Sequence, residues 1–302
     1  MAFHTFMLFR SFFAPPGEDR SYALAFGFVL WSITLSAIIT VRGELLAPGR
    51  RRALYYRLAV FAPVVISYFQ MMFLLPGLQP TLVDWELYAI DRVIFGETPA
   101  VLLEAFNRRP VVEWIAFFYY SYFYMMAAML IPTLLFDRGQ RLRELMVGGV
   151  LVATLGHTLY TFVPGAGPWK TLEFTAALDG GFFWGLVQET VSSAGAQLDI
   201  FPSLHTAYPT LFSLHAFGNR DRAPFKFLWP VIAFFAANMI VATMFLRWHW
   251  AIDVVAGLAL AITARAVAVY VARREGKRGQ GDDDRQPVWE PLWRIEPDQP
   301  RP

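Results

Sequence analysis

Two short motifs in the second half of the chain carry the residue types best suited to catalysis. FPSLHT occupies residues 201–206, and RWHWAIDVVAG occupies residues 247–257. His205 precedes His249 by 44 residues, which is enough chain for one membrane-crossing helix, a turn and a second helix that returns. We therefore expect both motifs at the same membrane face, each at the start of a helix.

The second motif places His249, Asp253 and Gly257 on one side of a helix, because residues four apart are neighbours on a helix surface. Side chains tilt toward the helix N-terminus, so Asp253 leans toward His249. A carboxylate that binds one ring nitrogen fixes the tautomer and leaves the other nitrogen free as a nucleophile. Gly257 would let a neighbouring helix come close. His205, on a different helix, could protonate a departing oxygen.

The starts of these two helices also predict an anion site. Helix N-termini present unpaired N–H groups and a positive dipole end, and two of them at one face suit a phosphate. Each motif alone also has a structural interpretation. PSxH can be a helix start with a serine cap, and H-x-x-x-D can be a pair that holds a helix end. Their occurrence together, at a spacing that brings them to one face, favours a functional site.

Other histidines and aromatic residues have weaker functional signals. His157 lies about 9 Å inside the outer end of a predicted span by helix rise. It could line the cavity, but a core histidine bonded to a neighbouring hydroxyl is the favoured interpretation. His215 is interpreted as structural. Tryptophans near the outer face predict an interfacial belt in preference to a substrate cage, although Trp169 could also line the cavity; they are Trp169, Trp184, Trp248 and Trp250.

The composition of the chain indicates lipid as its solvent. Of 302 residues, 56% are hydrophobic and 17% are charged, whereas soluble domains usually carry about 25% charged residues. The net charge of +2 and the dispersed basic residues exclude a nucleic-acid binder. The absence of cysteine excludes a thiolate nucleophile and a zinc–thiolate site. The acidic run at residues 282–284 is interpreted as solvated tail, so no metal site is predicted.

The fold class predicted from this pattern is all-α, a polytopic transmembrane helix bundle of six to seven spans with interfacial helices. A membrane-spanning helix needs about 20 mostly apolar residues. The segments that qualify are residues 21–41, 54–75, 111–136, 145–163, 203–217, 225–246 and 250–272.

Five regions follow from this reading of the chain. They are an interfacial N-terminal segment (1–20), two N-terminal spans (21–75), interfacial helices (76–110), a catalytic transmembrane core (111–272) and a disordered cytoplasmic tail (273–302). Fourteen basic residues fall on one face of the predicted topology and seven on the other. By the positive-inside rule, the richer face is cytoplasmic and the two motifs lie outside, which in a bacterium means the outer side of the inner membrane.

At these motifs the sequence resembles the type-2 phosphatidic acid phosphatase superfamily, whose signature is PSxH followed by H-x-x-x-D. More narrowly, FPSLH, the H-W-x-x-D-V-x-x-G run and the preceding VPGAGPW resemble the branch that contains the inositol phosphorylceramide synthases. The resemblance covers residues 89–272 in layout. It implies that His249 becomes phosphohistidine, Asp253 orients it, His205 is the general acid and Ser203 binds the phosphate.

The sequence departs from the superfamily pattern at its basic residues. The first motif, a lysine followed seven residues later by Arg-Pro, is absent, and the arginine usually found six residues before the nucleophile is Thr243. Arg247 and Lys170 are the candidate substitutes for binding phosphate. Loss of those arginines resembles the synthase branch more than the phosphatases.

The leading functional hypothesis is therefore a membrane enzyme that moves a phosphate-containing head group between lipids through phosphohistidine, without a metal or other cofactor. A lipid phosphatase would pass the same intermediate to water. A transporter or non-catalytic scaffold is disfavoured, because no pair of Gly/Pro-broken helices occurs in matching halves. Membrane lipids are the expected partners, and protein partners are left open.

Overall fold

The computed structural model describes residues 1–78, 81–193, 195, 197–278 and 292, and within them the chain is helical with no β-strand. The all-α prediction is thus confirmed. The helices are α1 (Ala2–Ser11), α2 (Glu18–Ala37), α3 (Arg50–Leu78), α4 (Asp84–Phe95), α5 (Pro99–Leu102), α6 (Arg109–Tyr120), α7 (Tyr122–Phe136), α8 (Gly139–Tyr160), α9 (Pro168–Thr171), α10 (Phe182–Ser193), α11 (Leu204–Gly218), α12 (Phe225–Phe245) and α13 (Ala251–Arg278). A π-helical turn, Ile38–Arg42, extends α2, and a 3₁₀ turn, Leu103–Phe106, follows α5.

Five helical segments among the described residues are long and apolar enough to cross a membrane. They are Glu18–Arg42, Arg50–Leu78, Arg109–Phe136, Phe225–Phe245 and Ala251–Gly276. The other two predicted spans correspond to α8, which is long enough at 22 residues but less apolar, and to α11, which has only 15 residues. Both pack inside the bundle, where helix and not lipid surrounds much of their surface.

The N-terminal segment forms a helix that packs on the bundle. One side of α1 buries His4, Met7 and Ser11 against α2, α3 and α8. Arg10 donates to the backbone carbonyl of Thr161, just beyond α8, at 2.5 Å. This contact ties α1 to the end of the bundle where α8 finishes and α11 and α13 begin.

The helix α11 is the centre of the second half of the bundle, in contact with α7, α8, α12 and α13. Gly257 lies where α13 crosses the start of α11, and a Cβ there would stand 2.5 Å from the carbonyl oxygen of Ser203. On the other side, a Cβ at Gly156 of α8 would stand 2.6 Å from the side chain of Leu204. The close approach expected at Gly257 is therefore confirmed. Gly257 and Gly156 allow the start of α11 to lie close to both α13 and α8.

The span Arg109–Phe136 is broken into α6 and α7 at Ser121, whose hydroxyl donates to the carbonyl of Phe117 at 2.7 Å. A hydroxyl bonded to the preceding turn competes with the regular helical pattern. The break falls between Tyr119 and Tyr122, and both rings contact His205.

The C-terminal boundary of the helical core lies further along the chain than residue 272, because α13 continues to Arg278. The rest of the predicted disordered tail, apart from Leu292, lies outside the described residues.

Candidate active site

The turn between α12 and α13 presents His249 at the start of α13. Arg247 has φ +67°, a left-handed conformation that lets the chain reverse direction directly after α12. The amides of Trp248 and His249 both donate to the carbonyl of Thr243 at 3.1 Å. The backbone of this turn is therefore fixed at several points, and His249 is held at the end of the bundle where α11 and α13 begin.

Asp253 lies directly behind His249. The Nδ1 atom of His249 is 3.4 Å from Oδ2 of Asp253, and the same oxygen accepts the backbone N–H of Trp250 at 3.0 Å. Asp253 is fully buried. With Nδ1 turned toward the carboxylate, Nε2 is the nitrogen available for nucleophilic attack.

The charge state of His249 suits a nucleophile. Burial lowers the pKa of His249 to about 4, although the Asp199 carboxylate and a hydrogen bond with the Ile200 backbone act in the opposite direction. The imidazole is therefore neutral near pH 7, so a ring nitrogen keeps the lone pair that attack requires.

His205, the second residue of α11, faces His249 with 6.3 Å between the two ring centroids. Its ring is stacked on Tyr119 at 4.6 Å with nearly parallel planes, and Tyr122 packs on it at 4.1 Å. Two aromatic neighbours fix the orientation of the imidazole. The separation of the two histidines is one that a single phosphoryl group can bridge.

One cavity contains both histidines. Its walls come from α3, α6, α7, α9, α10, α11 and the segments before α9, α11 and α13. Within the described part of the chain, its lining contains no lysine or arginine, and Asp199 supplies its one carboxylate. The lining residues are Tyr68, Tyr119, Tyr120, Phe123, Ala166, Trp169, Val187, Thr190, Val191, Gln197, Asp199, Ile200, His205, Trp248 and His249.

Ser203 is close to the site but does not line the cavity. Its backbone N–H donates to the carbonyl of Asp253 at 3.0 Å, so it joins the starts of α11 and α13. Its hydroxyl is buried and has no hydrogen-bond partner among the described residues. A phosphate-binding role for this hydroxyl stays a prediction.

Neither predicted basic residue reaches the histidine cavity in this structure. Arg247 donates to the carbonyl of Ala176 at 3.0 Å and to Glu104 at 3.3 Å, and its guanidinium lies 3.7 Å above the ring of Phe174. It lines a neighbouring cavity, which shares Trp169 and Trp248 with the first. Lys170 is exposed, with its ammonium group 4.7 Å from the centroid of Trp169.

The helix start of α13 is not open to a phosphate, and this part of the expectation was wrong. Asp91 of α4 accepts the backbone N–H of Ala251 at 2.8 Å and that of Ile252 at 2.9 Å. Thr98 donates its hydroxyl to the same carboxylate at 2.8 Å. A side-chain carboxylate from α4 thus already caps the helix that follows His249.

A second carboxylate, Asp84, binds the backbone of the loop that leads into α9, next to the site. It accepts the backbone N–H groups of Ala166 and Gly167 at 2.8 Å each, and the indole N–H of Trp250 at 3.0 Å. Trp250 is fully buried, so its assignment to an interfacial belt was wrong. Gly167 has φ +88°, and a Cβ there would collide with the carbonyl oxygen of Trp248.

Of the remaining residues singled out in the sequence, one lines the cavity and two lie away from it. Trp169 lines the cavity, and 37% of its surface is exposed. His157 is absent from the described lining and pairs with the hydroxyl of Ser67 at 2.9 Å. His215 lies at the opposite end of α11, 3.9 Å from Glu144.

Asp199 is the cavity residue that the sequence interpretation missed. It receives a hydrogen bond from Tyr68 and interacts electrostatically with His249. The available signal was its position, four residues before Ser203 in a short apolar run that leads into the first motif.

Comparison with known proteins identifies the family of the chain. The sequence model of a family described as the PAP2 superfamily matches residues 85–267, which include both motifs and the whole cavity except Tyr68. An uncharacterized protein of Methanocaldococcus jannaschii, MJ0662, is 27% identical over 100 residues, and the match covers 33% of this chain and 36% of the relative. No solved structure matches the chain. Because the family match extends over more than half of its length, the chain belongs to the PAP2 superfamily.

Proposed function

We propose that this protein is an integral-membrane phosphotransferase that moves a phosphate-containing head group from one lipid to another through a phosphohistidine at His249. The observation that supports it best is the pair of histidines facing each other at 6.3 Å across one cavity, with Asp253 behind one of them. Membership of the superfamily supports lipid phosphatase or phosphotransferase chemistry. The resemblance of the motifs to the inositol phosphorylceramide synthase branch favours transfer.

The first step forms the covalent intermediate. Nε2 of His249 attacks the phosphorus of the donor lipid, so a P–N bond forms while the P–O bond to the leaving alcohol breaks. His205 takes up a proton when the negatively charged phosphate binds beside it, and it gives this proton to the departing oxygen, which leaves as a neutral alcohol. Asp253 stabilises the positive charge that develops on the imidazole, as a buried carboxylate does behind other catalytic histidines.

The second step reverses the roles. The hydroxyl group of the acceptor lipid gives its proton to His205, and its oxygen attacks the phosphorus. The P–N bond breaks, and His249 returns to its neutral form. No metal is needed in this sequence, because the imidazole is the nucleophile and His205 carries the proton in both directions.

The walls of the cavity are consistent with a substrate that arrives from the bilayer. Phe123 lines the cavity and has 51% of its surface exposed on the flank of a span. Beside it, an apolar groove runs between α7 and α12, past Tyr124, Ala128 and Val231, and shares Tyr120 with the cavity. We assign this groove to an acyl chain of the lipid whose phosphate lies between the histidines.

The asymmetry of basic residues supports an active site on the extracytoplasmic face, in a bacterial cell the periplasmic side of the inner membrane. Both catalytic helices start at the face with seven basic residues, and the face with fourteen is opposite.

A lipid phosphatase is the second candidate, and the exposure of Trp169 favours it. This cavity residue has 37% of its surface exposed, so water has a route to the intermediate. Both functions share the first step and differ in whether an alcohol or water accepts the phosphoryl group.

Turnover in detergent separates these functions. Purified protein is incubated with phospholipids labelled in the head group, with and without a lipid that carries a free hydroxyl. The proposal predicts labelled acceptor lipid, and its loss in His249→Ala protein that elutes normally from a size-exclusion column. Water-soluble labelled phosphate in equal amount with and without acceptor would identify a phosphatase. The absence of any turnover that depends on His249 would refute both.

A further inference from the structure

The charges around the histidine cavity are mostly negative. Four carboxylates surround the site, namely Asp84, Asp91, Asp199 and Asp253. The first two accept backbone N–H groups and do not themselves line the cavity, and Asp253 lies behind His249. Of the four, Asp199 alone is part of the cavity wall. A substrate phosphate would therefore share the cavity with this carboxylate.

Several groups act on the carboxylate of Asp199. The hydroxyl of Tyr68 and the backbone N–H groups of Leu198 and Asp199 itself favour its ionised form. Tyr68 belongs to α3, so the donor comes from a long helix and not from a loop. The pKa of Asp199 is raised overall, because burial is the largest influence on it; the donors named above and His249 only limit the rise, since they favour the ionised form.

In its ionised form, Asp199 places a negative charge in the cavity wall, and such a charge distinguishes between phosphate groups of different charge. A phosphomonoester carries close to two negative charges above pH 7, because its second pKa is about 6. A phosphodiester carries one. Repulsion by the same carboxylate is thus about twice as large for the monoester, and the described lining offers no lysine or arginine to offset it.

We propose that Asp199 determines donor specificity by charge, so that the cavity accepts a phosphodiester lipid and rejects a phosphomonoester. The proposal rests on the proposed function, since it concerns the first step at His249. With a diester donor, Nε2 of His249 forms the P–N bond, the P–O bond to the leaving alcohol breaks, and that oxygen takes the proton of His205. The intermediate then keeps its remaining alcohol substituent, and Asp199 faces the positive charge that forms on the imidazole.

Two small substrates with the same leaving group test this directly. Nitrophenyl phosphate and methyl nitrophenyl phosphate both release nitrophenolate, but at pH 8 the first carries two negative charges and the second carries one. The ratio of their kcat/KM values is measured for wild-type protein and for Asp199→Asn. A unit charge at short range in a protein site is worth about tenfold to hundredfold in rate. We expect Asp199→Asn to shift the ratio toward the monoester by that factor.

Matched variants separate charge from structure. Asp199→Glu keeps the charge and should keep the wild-type preference for the diester, even if both rates fall. Asp179→Asn removes a carboxylate from an exposed position of the outer loop and should leave the ratio unchanged. Tyr68→Phe removes the hydroxyl that binds Asp199 and should shift the ratio in the same direction as Asp199→Asn, by less.

The experiment distinguishes a failure of the role proposed for Asp199 from a failure of the proposed function. In one outcome, His249→Ala abolishes turnover, and Asp199→Asn lowers turnover of the two esters equally. That result would support the proposed function and overturn the role of Asp199 in selecting substrates by charge. A wild-type preference for the monoester would overturn it as well. If neither ester shows turnover that depends on His249, the proposed function and this inference both fail.

Discussion

Replacing Asp91 by asparagine tests how the site is held together. This fully buried carboxylate uses one oxygen for the N–H of Ala251 and the hydroxyl of Thr98, and the other oxygen for the N–H of Ile252. Asparagine can accept at one side only, and its NH₂ group must then face a backbone N–H. The variant therefore loses a charge-assisted hydrogen bond, leaves a buried N–H unsatisfied and removes a negative charge from a helix N-terminus.

The expected loss in the free energy of unfolding follows from the unsatisfied N–H group and from the missing negative charge. An unsatisfied buried donor costs about 1–3 kcal/mol, and a charge at a helix N-terminus contributes about 0.3–1 kcal/mol. We expect destabilisation of about 2–4 kcal/mol, equivalent to a fall in melting temperature of about 3–6 °C for a chain of this size. Activity should fall too, because the start of α13 positions both His249 and Asp253.

The assay is thermal unfolding of purified protein in detergent, followed by turnover below the melting temperature. Glu86→Gln is the matched control, since it removes a carboxylate from an exposed position of the same helix, α4. Equal melting temperatures and equal activities for Asp91→Asn and Glu86→Gln would refute the assignment of Asp91 as the cap of α13. The start of that helix would then again be a candidate phosphate site.

Three further predictions concern the substrate and the membrane. His205→Ala should slow turnover of alkyl lipid donors by about a hundredfold or more. It should slow turnover of nitrophenyl esters much less, because nitrophenolate leaves without a proton. Equal losses of rate on both substrates would mean that His205 binds phosphate and donates no proton. Ala128→Trp should fill the apolar groove and reduce turnover of long-chain donors about tenfold relative to short-chain donors. Ala127→Trp, on the same exposed flank, should not have this effect. Equal effects of the two variants would place the acyl chain elsewhere. Cysteines introduced near Trp184 and near Arg222 should be labelled from outside and from inside the cell respectively, and the reverse pattern would overturn the proposed sidedness.

The parts of the site that follow from short-range periodicity could be predicted from the sequence. His249, Asp253 and Gly257 share one side of α13 because they are four residues apart on a helix. His205 reaches the same face because the segment between the histidines forms one helix away from it and one helix back, α11 and α12. Both relations depend only on helix geometry and on the alternation of spans, which composition determines.

The parts that depend on distant pairing could not be predicted in this way. Asp91 is 160 residues from Ala251, and Asp84 is 166 residues from Trp250. An acidic residue on an interfacial helix has the same sequence pattern whether it faces water or caps another helix. Its role is determined by how α4 packs on the end of the bundle, and that packing leaves no local signal.

The placement of the basic residues shows the same limit. Arg247 is two residues from His249 in sequence, but its left-handed backbone and the turn after α12 direct its side chain to Glu104 and Phe174, beside a neighbouring cavity. Asp199 had a local signal in its position before the first motif. An acidic residue in a loop is usually solvated, so only the packing of this loop against the site identifies Asp199 as part of the cavity.

The most direct test of the account is to trap and locate the covalent intermediate. Protein is mixed with a phospholipid donor in the absence of acceptor, quenched in alkali to preserve the acid-labile P–N bond, digested and analysed by mass spectrometry. The account predicts a phosphoryl-containing adduct on the peptide with His249, its absence in His249→Ala, and its disappearance when acceptor lipid is added before the quench. An adduct on His205, or wild-type turnover with no adduct at His249, would contradict the assignment of His249 as the nucleophile.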